Sequence, residues 1–220
     1  MSDFSASIYD CISYKITQLP GINKIIGING VDAAGKTTFA SNLARKLETT
    51  GHKVVVINLD DFLNERKVRY KDKNEIKSYI NYAFDLKKLE REILRPLKEN
   101  KRVETLVRVL DLERDKFFTK EYKIEKESVI LVEGVLLFRP TIAKYFDLKI
   151  FIDITNQEVI RRVVLRDGYL FKDKIEERYE QKYIPVQELY KEEYNPRQIS
   201  DIVIDNEDYN NPFIKQTRDF

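Results

Sequence analysis

The 220-residue sequence predicts an α/β fold, a mostly parallel sheet with helices on both faces and a small lid. Three observations carry this. A strand, a glycine-rich loop, a helix and a second strand follow one another across residues 24–59, which is one βαβ unit. Short apolar strands go on alternating with helical segments towards the C-terminus. The run SVILVEGVLLF (128–138) is long and apolar enough for a central strand buried on both faces.

Each element has a local reason. Phe4, Ile8, Cys11, Ile12, Ile16 and Leu19 stand near helical spacing, so residues 1–20 read as an N-terminal helix stopped by Pro20-Gly21. KIIGIN (24–29) is a short apolar strand entering the glycine loop. The chain from Phe39 to Leu47 is helical, Gly51 closes it, and KVVVINL (53–59) is the next strand. FDLKKLEREILRPLKEN (84–100) predicts an amphipathic helix with Leu86, Leu89, Ile93 and Leu97 on its apolar face. RVETLVRVLDL (102–112), DLKIFID (147–153) and DIVID (201–205) read as strands. NQEVIRRVVLRD (156–167) and KDKIEERYEQKYI (172–184) read as helices separated at Gly168. The whole chain, 1–220, reads as one domain, with insertions at 60–84 and 108–127 facing a second substrate and a lid over 161–185.

Composition excludes several classes. With 39 basic and 37 acidic residues the net charge is +2, too small to steer the chain towards nucleic acid. The opening MSDFSASIYD has no basic and apolar leader, and no apolar run nears the ~20 residues that span a bilayer. A cytoplasmic protein, without nucleic-acid or membrane partners, is expected; the sequence leaves a homo-oligomer open. The single cysteine, Cys11, excludes an intramolecular disulfide and reads as a small buried apolar residue.

GVDAAGKT (30–37) fits G-x-x-x-x-G-K-[ST] at every fixed position, and it lies between a predicted strand and helix, as a phosphate-binding loop requires. Glycines let successive N–H groups turn towards phosphate oxygens, and the following helix adds its positive end. The expected nucleotide contacts are Gly30, Val31, Asp32, Ala33, Ala34, Gly35, Lys36, Thr37 and Thr38. Lys36 is expected at the β- and γ-phosphates of ATP and the Thr37 hydroxyl on Mg²⁺. This specifies the three-layer P-loop NTPase version of the α/β fold. No N-K-x-D motif follows the loop, as a GTPase would need, and no L-S-G-G-Q signature exists.

Acids at strand ends come next, because ligands of open parallel sheets bind beyond the carboxyl ends of the strands. Asp60 follows KVVVINL directly and is expected to take a proton from an acceptor hydroxyl; Asp61 reads as solvated. Glu133 closes the apolar run VILV, where a carboxylate is costly unless it meets a cation, and Mg²⁺ at Thr37 is the expected one. Arg162 and Arg166 share a helix face, and a flexible basic segment with Lys172, Lys174 and Arg178 could fold over a triphosphate.

Together these blocks resemble the uridine kinase-like family of P-loop kinases, which includes phosphoribulokinase and pantothenate kinase. INGVDAAGKTTFA resembles its glycine loop, NLDDF its strand-end D-D-F, AFDLKKLEREILRPLKEN its A-F-D-x-x-x-L helix, ILVEGVLLF its V-E-G-[IV]-L strand and VIRRVVLRD its lid entry. The resemblance implies ATP·Mg²⁺-dependent phosphate transfer to a hydroxyl of a small metabolite. It implies Asp60 as base, Lys36 as phosphate ligand, Thr37 and Glu133 at the metal, and Arg162 and Arg166 as lid arginines. A P-loop regulator or chaperone with slow ATP hydrolysis is the alternative.

The acceptor pocket departs from the nucleoside pattern. Uridine-phosphorylating members carry D-H-P-D-A-F-D where this chain reads Tyr79 to Asp85 (YINYAFD), so their ribose-binding aspartate is Tyr79 here. Their Y-D-F and downstream histidine are replaced by Leu110-Asp111-Leu112-Glu113-Arg114-Asp115. Missing hydrogen-bond partners in a polar pocket cost selectivity of ~10⁴ or more. Uridine is therefore an unexpected substrate. Asp60, Tyr79, Asp85, Arg108 and Asp111 are the candidate acceptor contacts, with Arg114 beside them, and they suggest a polar or charged molecule.

Overall fold

The computed structural model describes residues 7–111, 114, 116–171 and 174–218, without the side chains of 169–171. Phe4, Leu112, Glu113, Asp115 and Lys172 of the expectations above lie outside the described residues.

Helix α1 (Ile8–Gln18) opens at a capping box: the Ser7 hydroxyl accepts from Asp10 N–H, and the Asp10 carboxylate accepts from Ser7 N–H. Its buried face carries Ile12 and Ile16. Cys11 lies one residue off that face and is exposed, contrary to expectation. Strand β1 (Lys24–Gly30) leads through the glycine loop into α2 (Lys36–Thr49), and β2 (Lys53–Asn58) follows. A 3₁₀ turn (Leu59–Phe62) and two short helices, α3 (Arg66–Arg69) and α4 (Glu75–Tyr82), fill the 60–84 insertion.

The helix expected over 84–100 is built as α5 (Leu86–Leu89), a π-helical stretch (Glu90–Leu94) and α6 (Arg95–Lys98). The wide turn closes with Arg95 N–H donating to Glu90 O, immediately before Pro96. A proline ring clashes with the carbonyl four residues back in a normal turn, and widening the turn relieves that clash.

Strands β3 (Val103–Asp111) and β4 (Lys116–Ile124) form a separate antiparallel hairpin, so much of the 108–127 insertion is strand. Then come β5 (Ser128–Gly134), α7 (Pro140–Ala143), β6 (Leu148–Asp153) and α8 (Asn156–Phe171). Helix α8 runs through Gly168, where the expected break does not occur; a helical glycine costs only about 1 kcal/mol. Helix α9 (Lys174–Arg178), a second π turn (Tyr179–Tyr183), α10 (Ile184–Tyr194), β7 (Ile202–Asp205) and β8 (Phe213–Thr217) complete the chain. The second π turn also precedes a proline, Pro185, with Ile184 N–H on Tyr179 O.

The six-stranded sheet has the order β2-β5-β1-β6-β7-β8. Its first five strands are parallel, and β8 runs antiparallel to β7. Every residue of β5 is buried. Alternation along β1 sends Ile25 into one core layer, with Leu59, Phe62, Leu89 and Phe138, and Ile26 and Ile28 into the other, with Leu43, Leu47 and Val159. Strand β8 escapes sequence reading because FIKQT is an exposed, mostly polar edge strand. Among the described residues no helix is long and apolar enough to cross a membrane.

Candidate active site

The parallel register brings three strand ends together. Glu133 on β5 is paired with Ile28 of β1 on one side and Asn58 of β2 on the other. The glycine loop, Glu133 and the turn after β2 therefore emerge at one edge, where a cleft of about 1310 Å³ opens.

The loop is held in shape by its neighbours. Gly35 has φ +90°, a left-handed conformation that disfavours a side chain, and a Cβ there would lie 2.7 Å from Asn206 Nδ2. Asn206, just past β7, donates through that nitrogen to Ala34 O over 2.7 Å. Arg162 Nη1 donates to Ala33 O over 3.1 Å, and its Nη2 to Asn206 O over 2.5 Å. Arg162 Nε also meets Glu158 at 2.6 Å. Arg162 thus ties helix α8 to the glycine loop. Arg166, one turn on, pairs with Asp167 at 2.7 Å and lines the same cleft.

Lys36, the first residue of α2, is buried and its Nζ donates to Val31 O over 2.8 Å. Thr37 and Thr38 are exposed to the cleft. The Thr37 hydroxyl donates to Glu133 Oε1 over 3.0 Å. Burial pushes the Glu133 carboxyl above its ordinary range, against the pull of Lys36 and the Thr37 hydrogen bond. Asp32 is raised by desolvation as well, with Lys36, Arg166 and Gln187 opposing.

Asn58 controls the turn that carries the two aspartates. Its side-chain oxygen accepts from Asp60 N–H over 2.8 Å, as at a helix N-cap. Asp60 then faces the cleft, while Asp61 turns away into the protein. The Asp60 carboxylate is accessible from the cleft yet closely surrounded by protein. Desolvation pushes its pKa up to about 6 against Lys36, helped by the negative charges of Glu133, Asp32 and Asp61. Asp61 is not solvated: it is buried and accepts from Lys120 Nζ over 2.7 Å and from the Tyr122 hydroxyl. It ties the β3–β4 hairpin to the sheet edge.

Of the candidate acceptor contacts, Asp60 and Tyr79 line the cleft and three others do not. Asp85 caps α5 by accepting from Lys88 N–H over 3.0 Å. Arg108 is exposed on the hairpin, stacked over Phe117 at 3.8 Å. Asp111 ends β3 and accepts from Arg114 N–H and Nη1. Their places on the cleft wall are taken by Arg66, Arg69, Tyr70, Lys182 and Tyr183, which sequence reading did not single out. RKVRY (66–70) and QKY (181–183) mix cations and tyrosines, a signal too common on solvated surfaces to be read from the sequence. Lys174 is exposed on α9 and is not part of the wall, whereas Arg178 is.

Among the described residues no three acidic, histidine or cysteine side chains gather to cage a metal. Thr37 and Glu133 offer one hydroxyl and one carboxylate side by side. That donor set suits Mg²⁺, which keeps waters and takes phosphate oxygens rather than an all-protein cage.

The model of the phosphoribulokinase / uridine kinase family matches residues 25–181. Uridine-cytidine kinase B of Dictyostelium discoideum is 32% identical over 155 residues, 65% of this chain and 58% of that protein. A uridine kinase of Chlamydia pneumoniae is 35% identical over 147 residues, 65% of this chain and 63% of that protein. The matches thus span about three fifths of these relatives' lengths. A structure described as a "possible uridine kinase" from Bacillus stearothermophilus superposes with a TM-score of 0.70 at 25% identity, covering 89% of this chain and 96% of that one. With the glycine loop, the strand-end acids and the arginine helix meeting at one sheet edge, the chain belongs to the phosphoribulokinase / uridine kinase family.

Proposed function

We propose that the chain is an ATP-dependent kinase that phosphorylates a hydroxyl group of a small metabolite. The observation that carries this is Asp60, a carboxylate raised to about 6 that shares its cleft with Lys36, Thr37 and the glycine loop. A base tuned close to neutrality holds a proton better than an ordinary aspartate does and is still ionised at pH 7. A regulator that only binds and slowly hydrolyses ATP has no need of it. The exposed apolar side chains Leu106, Phe118 and Leu165, which could serve a partner protein, lie outside the cleft.

ATP supplies the phosphoryl group, and Mg²⁺ supplies positive charge that offsets the phosphate oxygens. The backbone N–H groups of the glycine loop and Lys36 bind the phosphates, and Thr37 with Glu133 would hold the cation. Asp60 orients the acceptor hydroxyl and accepts its proton at the carboxylate. Arg162 and Arg166 stabilise negative charge as it spreads during transfer, from a helix already fixed to the loop. The walls around residues 66–79 and 178–183 enclose the acceptor and exclude bulk water.

The test is ADP release measured against a panel of nucleosides, sugars, sugar phosphates and hydroxy acids. A kinase shows at least one hydroxyl compound raising turnover well above the ATP-only rate, with a phosphorylated product by mass. A panel in which no compound does so rejects the reading.

A further inference from the structure

The wall of the cleft beyond Asp60 is strongly cationic. Helix α3 contributes Arg66 and Arg69, the end of α9 Arg178 and the π turn Lys182, against one acid among the described residues of this wall, Glu75 at the start of α4. Arg66 and Arg69 form no ion pair among the described residues; their guanidinium groups lie 6.0 and 5.6 Å from the Tyr70 ring centroid. Arg69 Nε is shut off from solvent and has no hydrogen-bond partner among the described residues. Lys182 is nearly buried, with 15% of its side chain exposed, and its Glu75 partner stands at 3.7 Å with 65% exposed. Arg66 and Arg178 are exposed at the rim of the cleft, whereas Arg69 and Lys182 are drawn into its wall, which solvated surface charges are not. A buried guanidinium N–H without a partner costs roughly 1–3 kcal/mol, and clustered cations add repulsion.

The tyrosines here do not offer an open stacking slot for a base. Lys182 Nζ lies 4.0 Å from the Tyr70 ring centroid, 5.6 Å from that of Tyr79 and 5.5 Å from that of Tyr183, and it donates to the Tyr70 hydroxyl. The cation occupies the space over the rings. Tyr79 lines the same cleft as Asp60 and Arg69. The glycine loop has its own cations, Lys36, Arg162 and Arg166, for the triphosphate.

We propose that the phosphate acceptor is itself an anion: a hydroxyl compound carrying a phosphate ester or a carboxylate, held by Arg66, Arg69 and Lys182. This rests on the kinase reading for the transfer step, but the binding claim can be tested without it. Both anions present paired oxygens that match a guanidinium fork.

Matched pairs separate the alternatives: ribose against ribose 5-phosphate for the phosphate ester, panthenol against pantothenate for the carboxylate, with uridine as a neutral nucleoside. ADP release is expected to favour the anionic member of at least one pair. In the Arg66→Gln/Arg69→Gln double variant the KM for that acceptor should rise by about tenfold or more while the KM for ATP stays put. Arg69→Lys, which keeps the charge and loses the fork, should fall between. A thermal melt shows whether the variants are folded, and removing unpaired like charges should not lower Tm. Equal or better turnover of the neutral members overturns the inference and leaves the kinase reading standing. If no acceptor raises turnover, the kinase reading fails, and calorimetry of ribose 5-phosphate and pantothenate on the ADP-loaded protein decides the anion site by itself. Binding of one of them that weakens about tenfold in the double variant supports it; no binding, or binding the variant leaves unchanged, overturns it.

Discussion

The Thr37 hydroxyl donates to Glu133 Oε1 over 3.0 Å, joining the first turn of the helix after the glycine loop to the end of the neighbouring strand. Glu133 sits among apolar strand residues, and burial raises its carboxyl. A raised carboxylate beside a hydroxyl is a ready partner for a divalent cation, which would restore the charge that burial disfavours. Glu133→Gln keeps an oxygen for Thr37 but removes that charge. It should lower kcat by about 10–100-fold and raise the Mg²⁺ concentration needed for half-maximal rate. A Mg²⁺ titration of the rate checks this, and a wild-type titration curve in the variant excludes Glu133 from the metal site.

Asp60 predicts the pH profile. Its pKa of about 6 belongs to the free enzyme, so kcat/KM for the acceptor should fall as pH drops through that value and level off above it. In Asp60→Asn the limb should vanish together with about 10²–10⁴ of the rate. A limb that survives the substitution belongs to another group.

Asp60 also predicts a stability effect of defined sign. Its folded pKa is raised above the unfolded value of 3.8, so the fold disfavours the ionised form. The penalty is complete above pH 6, shrinks as pH falls from 6 towards 3.8, and is gone below that. Asp60→Asn should therefore raise Tm at pH 7–8, and the gain should disappear near pH 4. Melting curves of both proteins across pH measure it. A Tm difference that does not change with pH would mean that the folded and unfolded carboxyls titrate alike.

Much of this architecture is legible in the sequence because the sheet strands are apolar runs and the glycine loop has fixed spacing. Lys36, Thr37, Asp60, Glu133, Arg162 and Arg166 all reach one cleft, as their positions at strand ends and on one helix face suggest. The acceptor wall was harder to read, for two physical reasons. Asp85, Arg108 and Asp111 are polar residues near the right place, but capping, stacking on Phe117 and a local turn engage them elsewhere. Arg69 and Lys182 come from segments 113 residues apart in sequence (182 − 69), brought together by the packing of α4 against the π turn and α10. The π turn itself depends on the carbonyl five residues before Ile184 and on Pro185, and no hydrophobic period reports such a bulge.

Asp61 gives the last prediction, because it connects stability to the active site. Its carboxylate accepts from the buried Tyr122 hydroxyl and from Lys120, fastening the β3–β4 hairpin beneath the turn that presents Asp60. Asp61→Leu leaves the Tyr122 hydroxyl buried without a partner and should cost roughly 1–3 kcal/mol in chemical denaturation. Lys120 is 40% exposed, so its loss adds little. Combining Asp61→Leu with Tyr122→Phe should recover part of the loss, since neither polar group then remains. The same substitution removes a negative charge that holds the Asp60 pKa up. The acid limb of kcat/KM should therefore move to lower pH in Asp61→Leu, and equally in Asp61→Asn, which retains an oxygen for Tyr122. A limb that stays near pH 6 in Asp61→Asn would show that Asp61 acts on the hairpin alone and has no electrostatic hold on Asp60.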